Sequence, residues 1–380
     1  MRPDAVVVGA GIIGAACADA LSAAGLRVTV LESEFAASGT SSRGMGHVLL
    51  MDANEAEFAL TRRSRDLWTA LAPELPPSCQ DAGCGTLWLA ADEEEMAVAR
   101  RRESFLRARG VSAQILDPGE LARAEPRLRP GLLGALYIPE DRVLYPPAAD
   151  RFLLARAASR GATLLEGTEA LELGPRRVRT RDGWIDAALV VVAAGLASRK
   201  LVPALPLEPR KGHLLITDRA PGLVKHAVLD LAYIKTAHTH TKESVTFCLE
   251  PRRTGQLLVG SSREFVGLDA SINLPLRNRM ARRALEFVPS LAQVPVLRTW
   301  VGFRPCSPDN LPFIGRWEPL EGVLLATGHE GIGITSAPAT GEIVADLALG
   351  RRGAVDPAPF SPMRLAASGG GEPLGAGPGP

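Results

Sequence analysis

Aromatic residues are scarce: three Tyr, five Trp and ten Phe make up 5% of the chain. That leaves little for the base-stacking platforms of single-strand nucleic-acid binders. Neither sign of charge is in excess. Lys and Arg number 43 against 42 Asp and Glu, a net of +1, so no basic field points to nucleic acid or an anionic membrane. Cysteine is sparse and unpatterned. Cys17, Cys79, Cys84, Cys248 and Cys306 are odd in number, and Cys79 and Cys84 lie five apart rather than the three of a CxxC pair. Such spacing suits neither a disulfide framework nor a zinc site, and we expect reduced thiols and no metal. No run reaches the roughly 20 apolar residues of a spanning helix. Glycines interrupt the apolar N-terminus, which turns into a strand at Leu26–Leu31. It is therefore read as part of the fold rather than a signal peptide, and the protein as cytoplasmic.

The chain has 380 residues, 46% hydrophobic and 22% charged. This is the balance of a globular protein too long for one ordinary core, so two domains are expected. Ala5–Val8 is an apolar run of the kind that forms a buried parallel strand. Gly9–Gly14 is a glycine turn, Ile13–Ala24 an alanine-rich helix ended by Gly25, and Arg27–Leu31 a second strand. Further helices are expected at Glu55–Leu71, Asp92–Arg109, Pro146–Arg160, Leu276–Phe287 and Ile334–Leu349. Strands are expected at Gly85–Ala90, Thr163–Gly167, Ala188–Ala193 and Val323–Ala326, with a hairpin around Arg181–Gly183. Lys211–Gly267 reads as strand-rich, with turns at Thr217–Asp218 and Thr254–Gly255. The glycine- and proline-rich tail, Ser368–Pro380, cannot bury a core and is expected to be disordered.

Gly9-Ala10-Gly11-Ile12-Ile13-Gly14 fits GxGxxG, which is weak alone. A strand before it, a helix after it and Glu32 at the end of the second strand make it a dinucleotide site. Gly9 permits the tight turn, Gly11 lets backbone approach a pyrophosphate, and Gly14 lets helix pack on strand. Glu32 suits a ribose diol, whereas an NADP site favours arginine there. The hydroxylic loop Gly39-Thr40-Ser41-Ser42-Arg43-Gly44 follows. It suits more pyrophosphate and a ribityl chain, and by itself it also reads as an ordinary turn.

With these landmarks the chain resembles the D-amino-acid oxidase superfamily of FAD enzymes, which includes glycine oxidase, sarcosine oxidase and D-amino-acid dehydrogenase. The likeness runs through residues 4–362. It rests on Val6–Gly14 with Glu32, on Ser41-Ser42-Arg43, and on Val190–Gly195. It continues in Gly302-Phe303-Arg304-Pro305-Cys306-Ser307-Pro308-Asp309, in Pro312–Gly315 and in Gly328–Gly333. Met45-Gly46-His47, Arg210–Leu214, Gly260–Arg263 and Gly328–Gly331 also look like the flavin subunit of D-hydroxyproline dehydrogenase and its hydrogen cyanide synthase and sarcosine oxidase relatives.

The resemblance implies an α/β fold (α+β overall). A Rossmann-like FAD-binding domain would use 1–80, 145–210 and 295–365. A discontinuous substrate domain of 81–144 and 211–294 would carry a mixed or antiparallel sheet, with 366–380 left as the disordered tail. It implies oxidation of a C–N bond in a small amino or imino acid, the hydride leaving for flavin N5, by a D-hydroxyproline- or D-amino-acid-type dehydrogenase; the alternatives are an oxygen-using glycine or sarcosine oxidase and a noncatalytic flavin subunit of a complex. Arg304 would clamp the substrate carboxylate. Noncovalent FAD would touch Gly9, Gly11, Ile12, Ile13, Gly14, Glu32, Ser41, Ser42, Arg43, Ala170 and Gly195. The run Gly331, Ile332, Gly333 and Ile334 would offer N–H groups to the reduced flavin. Glu330 faces an amine, the flavin's pyrimidine edge, or serves structure alone. His47 lies against the flavin ring, or is simply a packed or solvent-facing histidine. His238 and His240, in the polar stretch Thr236–Lys242, form a lid or a plain loop. Cys306 invites a covalent attachment, but the sarcosine oxidase position falls near Gly302. Two departures stand out. A carboxylate-binding tyrosine of glycine oxidase becomes Cys248, leaving Tyr233 as a substitute. An oxygen-activating lysine of sarcosine oxidase becomes Leu258, which tilts the acceptor from oxygen toward an electron-accepting partner subunit.

Overall fold

A computed structural model describes residues 2–51, 53–232 and 242–365. Tyr233, His238, His240 and the 366–380 tail lie outside the described residues. The first strand, Ala5–Val8, is buried on both faces. Ala5 and Val7 belong to one apolar cluster, Val6 and Val8 to another. This double burial explains its unbroken apolar sequence. It pairs in parallel with Val28–Leu31 on one side and Leu189–Val192 on the other. The helix Ile12–Ala23 starts one residue earlier than expected, with Gly11 as its N-cap. Gly9 has φ of +106°, open to glycine alone at little cost, and a Cβ there would lie 2.7 Å from the Ala193 carbonyl. A Cβ on Gly14 would lie 1.8 Å from the Gly9 carbonyl.

The first sheet has six strands, in the order Phe313–Arg316, Val323–Thr327, Leu189–Val192, Ala5–Val8, Val28–Leu31, Thr163–Leu165. All pairs are parallel except the first. One face carries Ile12–Ala23, which packs against Pro146–Ser159 and Gly333–Leu349. The other is covered by a small antiparallel sheet of Glu172–Gly174, Arg177–Thr180 and Gly183–Asp186, whose turn is the expected hairpin.

The second sheet has eight strands, in the order Val296–Cys306, Glu208–Thr217, Leu257–Glu264, Glu243–Pro251, Ala227–Asp230, Thr86–Ala90, Gly134–Ile138, Gln114–Leu116. It is mixed: only Ala227–Asp230 and Thr86–Ala90 run parallel. Along Glu243–Pro251, Val245, Phe247 and Leu249 pack against the helix Leu274–Phe287, while Cys248 belongs to the opposite cluster. The expected cofactor segment 295–365 begins inside this sheet. Val296–Cys306 pairs with Glu208–Thr217 almost throughout its length, so the chain changes sheets after Cys306. Among the described residues no helix is long and apolar enough to cross a membrane.

Asp150, on the helix Pro146–Ser159, is fully buried, and neither carboxylate oxygen has a hydrogen-bond partner among the described residues. Burial pushes its pKa up to about 8, opposed by Arg151 and reinforced by Glu32. The folded protein thus keeps a proton that the unfolded chain loses near the usual 3.8. This contribution to stability is complete below that value and is lost as pH rises through about 8. Asp150→Asn should remove it. The Tm difference between variant and wild type should grow in the variant's favour from pH 5 to pH 8. Separately, Gly14→Ala should cost about 1–3 kcal/mol or more in chemical denaturation, because backbone rather than a flexible side chain occupies the space.

Candidate active site

Residues of both sheets line one cavity of about 960 Å³. That is the upper end of small-molecule sites, roughly 300–1,000 Å³. The wall includes Gly9, Gly11, Ile12 and Ile13, with Glu32, Ser41 and Arg43. Glu32 Oε2 accepts the Ala10 N–H at 2.9 Å, and Oε1 accepts the Ser33 hydroxyl at 3.1 Å and the Glu34 N–H at 2.9 Å. The carboxylate therefore stiffens the turn as well as facing the cavity. Ser41 Oγ accepts the Ile12 N–H at 2.9 Å. The helices Ile12–Ala23 and Gly333–Leu349 both start at the cavity with N-cap residues, Gly11 and Ile332, that give no side-chain cap, and of the first-turn N–H groups that of Ile12 is taken by Ser41. Two positive helix ends thus face the same space. A dinucleotide fits this frame: side chains are excluded at Gly9 and Gly14, and the remaining first-turn N–H groups stand ready for anionic oxygens.

Ala170, Gly195, Gly331, Ile332, Gly333 and Ile334 also line the cavity. Two expected contacts are not brought to the wall. Gly14 lies behind the turn, where it permits the close approach to Gly9. Ser42 is exposed, and its hydroxyl donates to the Gly39 carbonyl at 3.2 Å. Cys306 is buried away from the cavity, its Sγ 3.5 Å from the Ser307 carbonyl oxygen, and burial pushes its pKa up to about 11. Gly302, which does line the cavity, has no side chain to form a covalent link.

Arg304 leaves the edge strand Val296–Cys306 and crosses its neighbour at Gly212. A Cβ on Gly212 would lie 2.5 Å from Arg304 Nη1. Beyond that strand, Arg304 Nη1 donates to the Ser262 carbonyl at 3.2 Å and Nη2 to Ser261 Oγ at 3.2 Å. Arg304 Nε stands 3.9 Å from Glu330 Oε1, and Arg210 Nη1 stands 3.5 Å from the same oxygen. Burial raises the Glu330 pKa, but Arg304, Arg263 and Arg210 outweigh it and hold the carboxyl below its usual range. Glu330 has φ of +44°, uncommon for a residue with a side chain.

His47 lines the cavity, its Nδ1 3.7 Å from Cys248 Sγ and its Nε2 3.4 Å from Glu250 Oε2. Apolar wall near Arg304 comes from Met45, Leu214 and Cys248. A Cβ on Gly260 would lie 3.1 Å from both Leu214 Cδ2 and Met45 Sδ, so these two side chains meet over that glycine. His329, also in the wall, stays neutral: burial pushes its pKa down to about 3, and Nε2 lies 3.0 Å from Thr340 Oγ1. Glu250 is the residue that sequence reasoning missed. Its only signal was a carboxylate sharing the face of Cys248 in an otherwise apolar strand.

A family model described as FAD dependent oxidoreductase matches residues 4–347. The chain is 32% identical to the glycine oxidase of Geobacillus kaustophilus over 96% of this chain and 97% of that protein. It is 29% identical to the hydrogen cyanide synthase subunit HcnC of Pseudomonas aeruginosa over 95% and 96%. The crystal structure of L-proline dehydrogenase from P. horikoshii is similar with a TM-score of 0.87 at 26% identity, covering 97% of this chain and 98% of that one. Because the family match runs from the first strand into the last long helix, the chain belongs to the D-amino-acid oxidase family of FAD-dependent oxidoreductases.

Proposed function

We propose that this enzyme oxidises the C–N bond of a small amino or imino acid, with a cyclic D-imino acid such as D-hydroxyproline as the favoured substrate. The observation that carries the reading is Arg304, laid over Gly212 and steadied by Ser261 and Ser262 in the cavity. Its fork matches a carboxylate bidentately and fixes the α-carbon. Arg210 and Arg263 behind it leave the local charge positive against the single carboxylate of Glu330, which favours an anion. Met45, Leu214 and Cys248 give the substrate's carbon skeleton an apolar wall, which suits an aliphatic ring better than glycine. When bound, noncovalent FAD supplies the two-electron acceptor. The uncapped start of Gly333–Leu349 stabilises negative charge beside it. Glu330 keeps Arg304 and Arg210 in place.

Leu258 is buried where the resemblance looks for an oxygen-activating lysine, which supports an electron-accepting partner over oxygen. The glycine oxidase of Geobacillus kaustophilus supports a second reading, an oxidase acting on glycine or sarcosine with oxygen as acceptor.

Anaerobic bleaching of the flavin band tests both readings, using cis-4-hydroxy-D-proline, D-proline, sarcosine and glycine. Bleaching by the cyclic acids, with slow reoxidation in air, is the expected result. Peroxide formed in step with sarcosine or glycine loss would replace it with the second reading. If none bleaches the flavin, both fall. Arg304→Lys should weaken substrate binding about 10–100-fold with FAD retained, because an ammonium cannot form the bidentate pair. Gly212→Ala should weaken it in the same way by pushing the guanidinium aside, read from the substrate dependence of bleaching.

A further inference from the structure

His47 and Cys248 line the cavity, with Glu250 buried behind them, and carboxylate binding gives this cluster no task. Cys248 and Glu250 are alternate residues of Glu243–Pro251 and share a face. Glu250 is fully buried. Its Oε2 accepts the Gly46 N–H at 2.7 Å and stands 3.4 Å from His47 Nε2, while Oε1 lies 3.1 Å from Arg252 Nη1. The His47 carbonyl accepts the Thr335 hydroxyl at 2.9 Å, so His47 is held through both backbone and ring. Cys248 pairs across strands with Gly260, the residue before Ser261, which holds Arg304. The histidine cluster and the carboxylate anchor therefore share one sheet face over the cavity.

An amino or imino acid in neutral water carries its nitrogen as an ammonium, with no lone pair. Forming a C=N bond requires that pair, so a proton must leave first. Attraction to Glu250 Oε2, 3.4 Å from Nε2, favours the tautomer that carries its proton there and leaves the lone pair on Nδ1; Cys248 Sγ lies 3.7 Å from Nδ1 and 4.0 Å from Nε2, against the ring. The charged and titratable groups facing the ring are Glu250, Arg252 and Cys248. Burial pushes the His47 pKa down, with Glu250 opposing and Arg252 adding, so the ring is neutral and able to accept a proton. Burial also drives the Cys248 thiol well above its usual range, so it stays protonated and does not compete as the base.

We propose that His47, held by Glu250, takes the proton from the substrate's ammonium. The inference rests on the amino or imino acid reading above. The N–H bond breaks, its electron pair stays on nitrogen, and the proton goes to His47 Nδ1. The resulting imidazolium stands against the Glu250 carboxylate and later returns the proton to solvent. His47 is thus a catalytic residue and Glu250 a positioning residue.

The test follows anaerobic flavin bleaching of the holoenzyme against pH, using the fastest substrate of the panel. The wild-type rate should fall on the acid side as His47 protonates. His47→Gln should lower the neutral-pH rate about 10²-fold and move that acid limb up to the pKa of the substrate's own ammonium. Glu250→Gln should move the limb to lower pH, since Glu250 favours the protonated ring. Propionate, which has a carboxylate but no amine, should perturb the flavin spectrum with a Kd within about twofold of wild type in both variants. An acid limb unchanged in His47→Gln would overturn the assignment while leaving the oxidation reading intact. Propionate binding lost along with the rate would also overturn it, by making His47 a structural residue. A wild-type flavin bleached by no amino or imino acid removes the oxidation reading and this assignment together.

Discussion

The cavity depends on one carboxylate that ties the two sheets together. Glu330 follows the strand Val323–Thr327 of the six-stranded sheet, and its side chain meets Arg210 and Arg304 from the eight-stranded one. Its backbone N–H donates to the Pro305 carbonyl at 3.1 Å, so main chain and side chain make the same connection. Taking such charges out of water is costly, and the left-handed backbone at Glu330 adds strain of order 1–3 kcal/mol. Apolar residues would join the sheets at lower cost. Charge gives a fixed placement of Arg304 instead.

Around this tie the site offers two kinds of partner. The glycine turn presents backbone N–H groups and a helix start, suited to diffuse negative charge that is read by shape. Elsewhere the site presents side chains carried on strands: Arg304 across Gly212, and His47 between Cys248 and Glu250. The start of Gly333–Leu349 lines the same cavity. Neutral groups surround the charged ones there, with His329 unprotonated and the Cys248 thiol intact. The low-dielectric lining strengthens the few charges that remain.

What the sequence disclosed follows from how local each signal is. The turn Gly9–Gly14, Glu32 and the apolar strands beside them lie within one short unit, where period and glycine placement reflect only a few neighbours. The long helices Glu55–Leu71 and Gly333–Leu349 carried enough turns for their pattern to show. Val296–Cys306 did not read as a strand, because Gly302, Arg304 and Pro305 break its apolar alternation for the sake of the cavity. Glu250 and the arginines behind Glu330 look like surface charges until the sheet assigns them an inward face. Asp150 reads as the polar side of a helix, and only the packing of Ile12–Ala23 and the Thr40–Arg43 turn against that helix shows it enclosed. The sites hardest to find were those at which one polar residue departs from its local pattern.

The crossing of Arg304 over Gly212 makes two distant codons answer to each other. While a guanidinium lies across that strand, position 212 has no room for even a methyl group. Once the anchor is replaced by a short residue, the restriction ends and any strand-forming side chain fits. In a lineage descended from this enzyme, the residue at 212 therefore records whether the anchor at 304 is still in use. A glycine retained there leaves room for the guanidinium across the strand, and a bulky replacement leaves none.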